Sequence, residues 1–218
     1  MSYGTAEMID HAQQAKMVKA ALAKAYKGVR FSVRAKRYSG GGRINVDWTD
    51  GPTEKQVAQI AHQYEGGGFD GMIDLAYSYT HWLLPDGSCI VAHSNGTEGS
   101  MGSAPAVHNP RPAGAREVHF LCDTVFCNRT TRMGRASDDE VYEMIGRDLC
   151  TLQRVEYCGR DTVGLFGVRD RDYLCWHVRR LLDQTAIPAG RAYKGVRFAT
   201  VAERDASIDC WAVIEFQG

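Results

Sequence analysis

Histidine and cysteine residues at two places in the sequence are of the types that bind zinc. His119, Cys122 and Cys127 form one group, and Cys89 and His93 form the other. Neither spacing is that of a familiar zinc finger. Cys122 and Cys127 also fall in an apolar strand, where an odd separation places their side chains on opposite faces. We therefore interpret these cysteines as buried thiols, and we predict no metal site and no cofactor.

A cysteine could instead act as a nucleophile, which requires a base within reach of the thiol. Cys175 and His177 are two residues apart on a predicted helix, so their side chains do not face each other. Cys127 is the better candidate because it lies near the predicted end of a strand, where catalytic groups are often positioned. An enzyme with a Cys/His site near 119–129 therefore stays open as an alternative, although no catalytic residue is predicted.

Carboxylates in and after predicted turns could act as acids or hold a metal ion. They are Asp70 and Asp74, together with Asp47 and Asp50. Aspartate and glycine are ordinary turn residues, so we interpret "FDGM" as a turn rather than as a site. "EGGGFDG" lacks the lysine and hydroxyl residue that complete a phosphate loop, and "YSGGGR" lies between strands instead of before a helix. These stretches therefore predict turns and not chemistry.

A predicted β-hairpin at residues 29–48 is the best local candidate for binding. In "VRFSVRAKR" and "RINVDW" apolar and polar residues alternate, so one face is apolar and the other basic. The glycine-rich turn allows close approach to a phosphate backbone, a tyrosine can stack on a base, and a two-stranded ribbon can enter a major groove. The alternative is an edge hairpin that its charges keep soluble. The residues predicted to bind nucleic acid or another anionic partner are Arg30, Arg34, Lys36, Arg37, Tyr38 and Arg43.

Periodicity and capping signals predict the elements that position this hairpin. Two capping boxes, Thr53 with Gln56 and Ser137 with Glu140, mark helix starts, and Gly28 marks a helix end. Alternating patterns predict the strands. The predicted helices cover 10–27, 54–64, 138–148 and "RDRDYLCWHVRRLLDQ", and the strands cover the hairpin, "FDGMIDLAYSYTHWLL", "CIVAH", "EVHFLCDTVFCNR", about 195–202 and about 207–216.

The heptapeptide "AYKGVRF" occurs twice, at residues 25–31 and 192–198. Each copy follows a predicted helix, starts a strand at Val-Arg-Phe, and is followed by a return strand that contains isoleucine and tryptophan. Chance identity and engineered duplication explain this pattern less well than an old or partial duplication of a helix–hairpin unit. Because only the first hairpin is basic, the repeat predicts similar folds and not two equivalent sites.

Composition and charge exclude several classes of protein. The formal net charge is zero, which is unlike a basic nucleic-acid coat protein or an acidic mimic of DNA. No apolar run approaches the roughly 20 residues that span a bilayer, and the first residues lack the pattern of a signal peptide. Seven cysteines, an odd number, fit reduced thiols better than a full disulfide set. We therefore expect the protein in the cytoplasm.

The N-terminal part of the chain resembles a known module. The similarity lies in "FSV" at 31–33, "INV" at 44–46, "WTDGP" at 48–52 and "FDGM" at 69–72. The chain is similar to the large polyvalent protein-associated domain, number twenty-nine of its series, over about 14–80 and more loosely over 117–130. The resemblance implies a setting in phages or conjugative elements. It supplies no catalytic residues, because the family has no established activity.

These patterns together predict an α+β fold with two related helix–β-hairpin units, antiparallel sheet and flanking helices. The predicted halves are 1–93 and 117–218, joined by a Gly/Ser/Pro-rich loop or linker at 94–116. With the resemblance, they predict a non-enzymatic accessory protein of a phage or other mobile element, which binds and obstructs a host protein complex such as a nucleic-acid-based defence complex. The alternatives are direct binding of DNA or RNA through the basic hairpin and the enzyme described above. No membrane partner is predicted.

Overall fold

The computed structural model describes residues 6–97, 104–132, 144–149, 171–188, 190–198, 200 and 212–217. The chain divides into two compact units. Unit 1 comprises Met1–Trp48 and Glu54–Asn128, and unit 2 comprises Thr49–Thr53 and Arg129–Gly218. The chain therefore leaves unit 1 after Trp48, contributes a short segment to unit 2, and returns at Glu54.

The regular elements of the described residues are helices and mostly antiparallel strands, which confirms the predicted α+β class. The helices are α1 (His11–Ala25), α2 (Glu54–Ala61), which continues as a short 3-10 helix (His62–Tyr64), α3 (144–149) and α4 (Arg171–Gln184). The strands are β1 (Glu7–Ile9), β2 (Ser32–Tyr38), β3 (Gly41–Thr49), β4 (Gly67–Asp70), β5 (Leu75–Leu83), β6 (Cys89–Ser94), β7 (Val107–His108), β8 (Arg116–Phe120), β9 (Thr124–Thr130), β10 (Tyr193–Phe198) and β11 (Ala212–Phe216).

Unit 1 contains two sheets. The larger sheet has the strand order β1-β8-β5-β6-β7, with β4 paired to β5, and β1 runs parallel to β8. The smaller sheet has the order β2-β3-β9. One hydrophobic core takes side chains from α1, α2 and both sheets. Its fully buried members include Val18, Leu22, Ile44, Val57 and Phe120.

The segment 94–116, predicted to join two halves, lies inside unit 1. β7 pairs with the end of β6, where Val107 opposes Ser94, and β8 pairs with β5 in the same sheet. The structure therefore places the division of the chain at Asn128 and Arg129 instead of within 94–116. Glycine, serine and proline indicate where a chain turns, but they do not specify which strands pair afterwards.

α1 begins at His11, close to the start of the predicted helix 10–27, and Asp10 caps it. The Asp10 carboxylate accepts hydrogen bonds from the backbone N–H groups of Ala12 and Gln13, both at 2.8 Å. Such an N-cap contributes about 1 kcal/mol to helix stability. The helix ends after Ala25, and Gly28 follows with a φ of 87°, a left-handed conformation that glycine adopts without steric cost.

Gln14 is a fully buried amide on the otherwise apolar face of α1. Its Nε2 donates to the carbonyl oxygens of Tyr64 at 2.6 Å and Cys122 at 2.9 Å. Its Oε1 accepts from the backbone N–H of Cys122 at 2.8 Å. This side chain therefore joins α1 to the 3-10 helix and to the β8–β9 connection, and it satisfies backbone groups that would otherwise be buried without partners.

Unit 2 has a core of its own. Arg129 donates hydrogen bonds to the carbonyl oxygens of Leu182, Thr185 and Gly51, at 3.1, 2.8 and 3.2 Å, and so satisfies backbone acceptors at the C-terminal end of α4. β10 and β11 form an antiparallel hairpin. The buried residues of this core are Ile145, Leu149, Val178, Leu181, Leu182, Ile187, Ala212 and Ile214.

The two copies of the heptapeptide adopt different conformations. In the first copy the chain leaves α1, turns, and enters β2 only at Ser32, after the repeat has ended. In the second copy Tyr193–Phe198 are a strand. Each copy follows a helix, but the prediction that the strand starts at Val-Arg-Phe is wrong for the first copy, whose strand begins at Ser32, and in the second copy the strand begins earlier, at Tyr193. Glycine permits both conformations, since Gly28 has a positive φ whereas Gly195 lies within β10.

Some predicted features lie outside the described residues. The capping box of Ser137 and Glu140 and the tryptophan at 211 are among them, and only the end of the predicted helix 138–148 is described, within the helical segment 144–149. Among the described residues, no helix combines the length and the apolar character needed to cross a membrane.

Candidate nucleic-acid interface

The smaller sheet of unit 1 has one buried face and one solvent-facing face, which we name the open face. Side chains alternate along β3, and Ile44, Val46 and Trp48 point into the core, as the period of two predicts. The residues between them point outward. The open face is defined by Arg34, Lys36 and Tyr38 of β2, Arg43, Asn45 and Asp47 of β3, and Phe126 and Asn128 of β9.

Arg34 forms an ion pair on this face. Its guanidinium lies 2.9 Å from the carboxylate of Asp47, which also accepts a hydrogen bond from Asn128 at 3.2 Å. The pair is exposed, so it contributes little to stability. It nevertheless neutralises much of the charge that Arg34 would offer to a phosphate group. Of the predicted binding residues, Arg34 is therefore the one already paired on this face.

Lys36 and Arg43 lie directly opposite each other on β2 and β3. Like charges in this position destabilise a sheet. Within the described part of the chain neither residue forms an ion pair. The Arg43 guanidinium instead lies over the ring of Phe126, 5.8 Å from its centroid. This arrangement places two cations without carboxylate partners beside an exposed aromatic ring, a combination suited to an anionic partner that carries flat groups.

The other predicted residues flank this pair. Tyr38 is the last residue of β2, is 48% exposed, and donates from its hydroxyl to the Gly42 carbonyl at 3.4 Å. Arg37 is exposed at the same end of β2, next to the turn. Arg30 is exposed in the segment before β2. All six predicted residues therefore lie on the hairpin or next to it, but only some of them share the open face.

The charge of the chain is unevenly distributed around this sheet. Residues 16–43, which cover most of α1, β2 and the start of β3, contain nine lysines and arginines and no aspartate or glutamate. Residues 56–110 contain no lysine or arginine. A protein with a net charge of zero thus has a strongly basic segment, and such local fields attract polyanions.

The cysteines considered as zinc ligands or nucleophiles are not activated thiols. Burial raises the pKa of Cys89 and of Cys127 to about 12 and that of Cys122 to about 11. The Nδ1 of His119 is hydrogen-bonded to the carbonyl oxygen of Tyr79 at 2.8 Å. The described residues contain no group of three or more His, Cys, Asp or Glu side chains arranged to hold a metal ion. Thiols with such high pKa values are protonated at neutral pH and are poor nucleophiles.

His81 is a further buried imidazole, on β5. Burial, together with the charge of the nearby His119, lowers its pKa to about 4. Its ring packs against the ring of Phe120 with a centroid distance of 5.0 Å. The side chain is therefore neutral near pH 7 and serves the core of unit 1.

The aspartates considered from the sequence have structural contacts. Asp70 is buried, and its carboxylate accepts from the Thr97 hydroxyl at 2.7 Å and from the Met72 N–H at 3.0 Å. Asp74 has a φ of 53° in the β4–β5 turn. Asp47 pairs with arginine as described above. Asp70 and Asp74 therefore serve the turn, and Asp47 serves a surface ion pair.

Phe126 is the residue of this face that sequence reasoning missed. The sequence predicts one apolar strand over 117–129 with buried cysteines, and this prediction does not single out Phe126. The alternation within β9 was the usable signal, because Val125 is buried while Phe126 is 45% exposed. The pairing of β9 with β3, between residues far apart in the chain, could not be foreseen from local pattern.

The described residues thus define an α+β domain with a basic, partly aromatic open face. The chain belongs to the family described as large polyvalent protein associated domain 29, whose family model matches residues 9–133. The match runs from the end of β1 to just beyond β9, so it includes both sheets of unit 1, and it confirms the resemblance noted in the sequence. The domain is typical of proteins of phages and other mobile elements. No curated protein and no solved structure matches the chain significantly.

Proposed function

We propose that the protein is a non-enzymatic accessory protein of a phage or other mobile element, which binds and obstructs a host complex that contains nucleic acid. The open face contacts the nucleic acid of that complex. The family supports the mobile-element setting. Direct binding of free DNA or RNA uses the same face and differs only in having no host complex as its target.

One observation carries the nucleic-acid part of the proposal. Lys36 and Arg43 oppose each other without carboxylate partners in the described residues, and Arg43 is stacked on an exposed phenylalanine. A hairpin that is charged only for solubility gains nothing from facing cations, since alternating signs serve equally well and avoid the repulsion. A phosphate backbone supplies the missing negative charges.

The enzyme alternative is less well supported. Its best candidate nucleophile was Cys127, and burial raises the pKa of that thiol to about 12, with Glu54 and Glu65 adding to the increase. A catalytic cysteine requires the opposite, a pKa lowered by a neighbouring cation, imidazole or helix N-terminus.

The nucleic-acid contact is tested by fluorescence anisotropy with labelled single-stranded DNA, duplex DNA and RNA over a series of salt concentrations. The variant Lys36→Ala/Arg43→Ala removes the two opposed cations of the open face. The matched control, Lys16→Ala/Lys19→Ala, removes two exposed charges from α1, so both proteins have the same net charge. We expect the hairpin variant to lower the slope of log K against log salt by about 1.4 for a single strand, at roughly 0.7 per lost phosphate contact.

If the hairpin variant and the α1 control lose equal affinity for nucleic acid, general charge and not the open face attracts it. The host-complex part has a separate test. The protein and its hairpin variant are expressed in host strains that carry nucleic-acid-dependent defence systems, and phage plating efficiency is measured. We expect wild type to raise plating efficiency and the hairpin variant to do so less. Binding in solution without any effect on defence would instead support the direct binder of DNA or RNA.

A further inference from the structure

Two aromatic rings on the open face are exposed to solvent. Tyr38 is 48% exposed and Phe126 is 45% exposed. A flat ring that faces solvent from a sheet offers a stacking surface to a nucleic-acid base, because every base has a flat π-face. The positions of these rings therefore indicate which form of nucleic acid, single-stranded or duplex, the open face can bind.

The positions of the two rings follow from the hydrogen bonds that join β9 to β3. The N–H of Asp123 donates to the Gly42 carbonyl at 3.0 Å, and the Asn128 amide contacts Asp47. The two strands therefore run in the same direction, with Phe126 beside Asn45. Tyr38 lies opposite Gly41, on the other side of β3.

These registers place the rings at the ends of a diagonal across the sheet. They are two strands apart, about 10 Å, and four residues apart along the strands, about 13 Å, so their separation is on the order of 16 Å. Arg43 is located halfway along this diagonal, with Lys36 beside it. The order along the diagonal is thus aromatic ring, cations, aromatic ring.

This spacing does not suit a duplex. Neighbouring nucleotides on one strand of a duplex are about 3.4 Å apart along the axis, and their bases are paired and stacked inside the helix. A base can reach a ring on a protein sheet only when it is unpaired, as in the single-stranded segments that aromatic sheet surfaces bind. An extended strand can cross the diagonal with one base on each ring and its phosphates near Arg43 and Lys36.

We infer that the open face binds single-stranded nucleic acid in preference to duplex, with bases stacked on Tyr38 and Phe126 and with the intervening phosphates on Lys36 and Arg43. This inference rests on the proposed function and narrows its ligand. Arg43 has two roles in it, since its guanidinium also holds the Phe126 ring in place. Within the described residues no hydrogen bond occupies that guanidinium, and its Nε is buried without a partner.

The test compares a labelled twelve-nucleotide oligothymidine with a labelled duplex of twelve base pairs. Tyr38→Ala and Phe126→Ala remove one ring each, whereas Tyr38→Phe keeps the ring. Phe69→Ala is the matched control, because Phe69 is 62% exposed on β4 and lies outside the open face. We expect each alanine variant of the open face to weaken single-strand binding about 5- to 100-fold, and Tyr38→Phe and Phe69→Ala to change it less than twofold.

Two further readouts separate stacking from charge and from unfolding. Removing a ring should leave the salt dependence unchanged, since no cation is lost. Photocrosslinking of the single strand, followed by trypsin and mass spectrometry, should label the peptides 38–43 and 117–129, which contain Tyr38 and Phe126. Labelling at these peptides does not depend on any variant being well folded.

The outcomes distinguish this inference from the proposed function. Salt-dependent binding of duplex and single strand with equal affinity, insensitive to Tyr38→Ala and Phe126→Ala, would overturn the inference and leave the proposed nucleic-acid contact standing. Absence of binding to every probe at low salt would overturn both.

Discussion

The buried amide of Gln14 allows one prediction to be worked out from individual hydrogen bonds. The replacement Gln14→Leu keeps most of the side-chain volume and removes only the polar atoms, so the cavity term is small. Tyr64 then loses the donor to its carbonyl oxygen, and the N–H of Cys122 loses its acceptor. The carbonyl of Cys122 keeps a partner, because the N–H of Gly66 also donates to it at 2.9 Å.

Two backbone groups are thus left buried without partners. Each such group costs about 2 kcal/mol, within the usual range of 1–3 kcal/mol, so the expected loss for unit 1 is about 4 kcal/mol. A loss of this size increases the population of opened molecules by a factor of roughly 1000. That is a large fraction of the stability of an ordinary domain.

The assay is native-state hydrogen exchange with mass spectrometry on peptides from α1 and from the β8–β9 connection, which report on opening of unit 1. The matched control is Gln13→Leu, since the neighbouring Gln13 side chain is exposed and only its backbone N–H takes part in the helix cap. We expect exchange to accelerate in the Gln14 variant and to stay within a few-fold of wild type in the control. Equal exchange in the two variants would refute the reasoning that this amide holds the elements together.

Three further outcomes follow from the structure. The pKa of His81 is lowered to about 4 from an ordinary 6.5, so unfolding takes up a proton at pH values between 4 and 6.5. The free energy of unfolding should be full above pH 6.5 and fall by about 3 kcal/mol as the pH drops toward 4. Urea titrations of wild type and His81→Phe should show this loss in wild type alone. Gly28→Ala should lower the stability of unit 1 by about 1 kcal/mol or more because φ is 87°, whereas Gly195→Ala in β10 should cost less, as thermal melts can measure. Cys89 and Cys122 should resist iodoacetamide at pH 8 in the folded protein and react after denaturation, and rapid labelling of the folded protein would contradict their burial.

Local patterns predicted the parts of the fold that depend on neighbours in the chain. The period of two in β3 correctly placed Ile44 and Trp48 in the core and the arginines of β2 outside. The basic hairpin could be recognised for the same reason. The α+β class follows from these signals, since helical and alternating patterns occur throughout the chain.

Features that depend on distant partners could not be predicted in this way. The glycine- and proline-rich stretch 94–116 was expected to separate two halves, but it contains β7, which pairs back onto β6. Phe126 belongs to the open face only because β9 joins β3, and that pairing links segments about eighty residues apart in the chain. The burial of Gln14 is also not predictable, because a polar residue on a helix is ordinarily solvent-exposed and the three hydrogen bonds of Gln14 all go to distant backbone groups.

The two conformations of the heptapeptide show that identical sequence in this chain does not imply identical backbone structure. If the copies descend from one segment, an alignment of their sequences would superimpose the turn that follows α1 on strand β10, and it would assign the wrong backbone conformation to one of them. An antibody raised against the free peptide would meet two different shapes in the native protein, and we expect it to discriminate between them. The seven residues are thus compatible with two backbone conformations, and the elements around each copy determine which one it adopts.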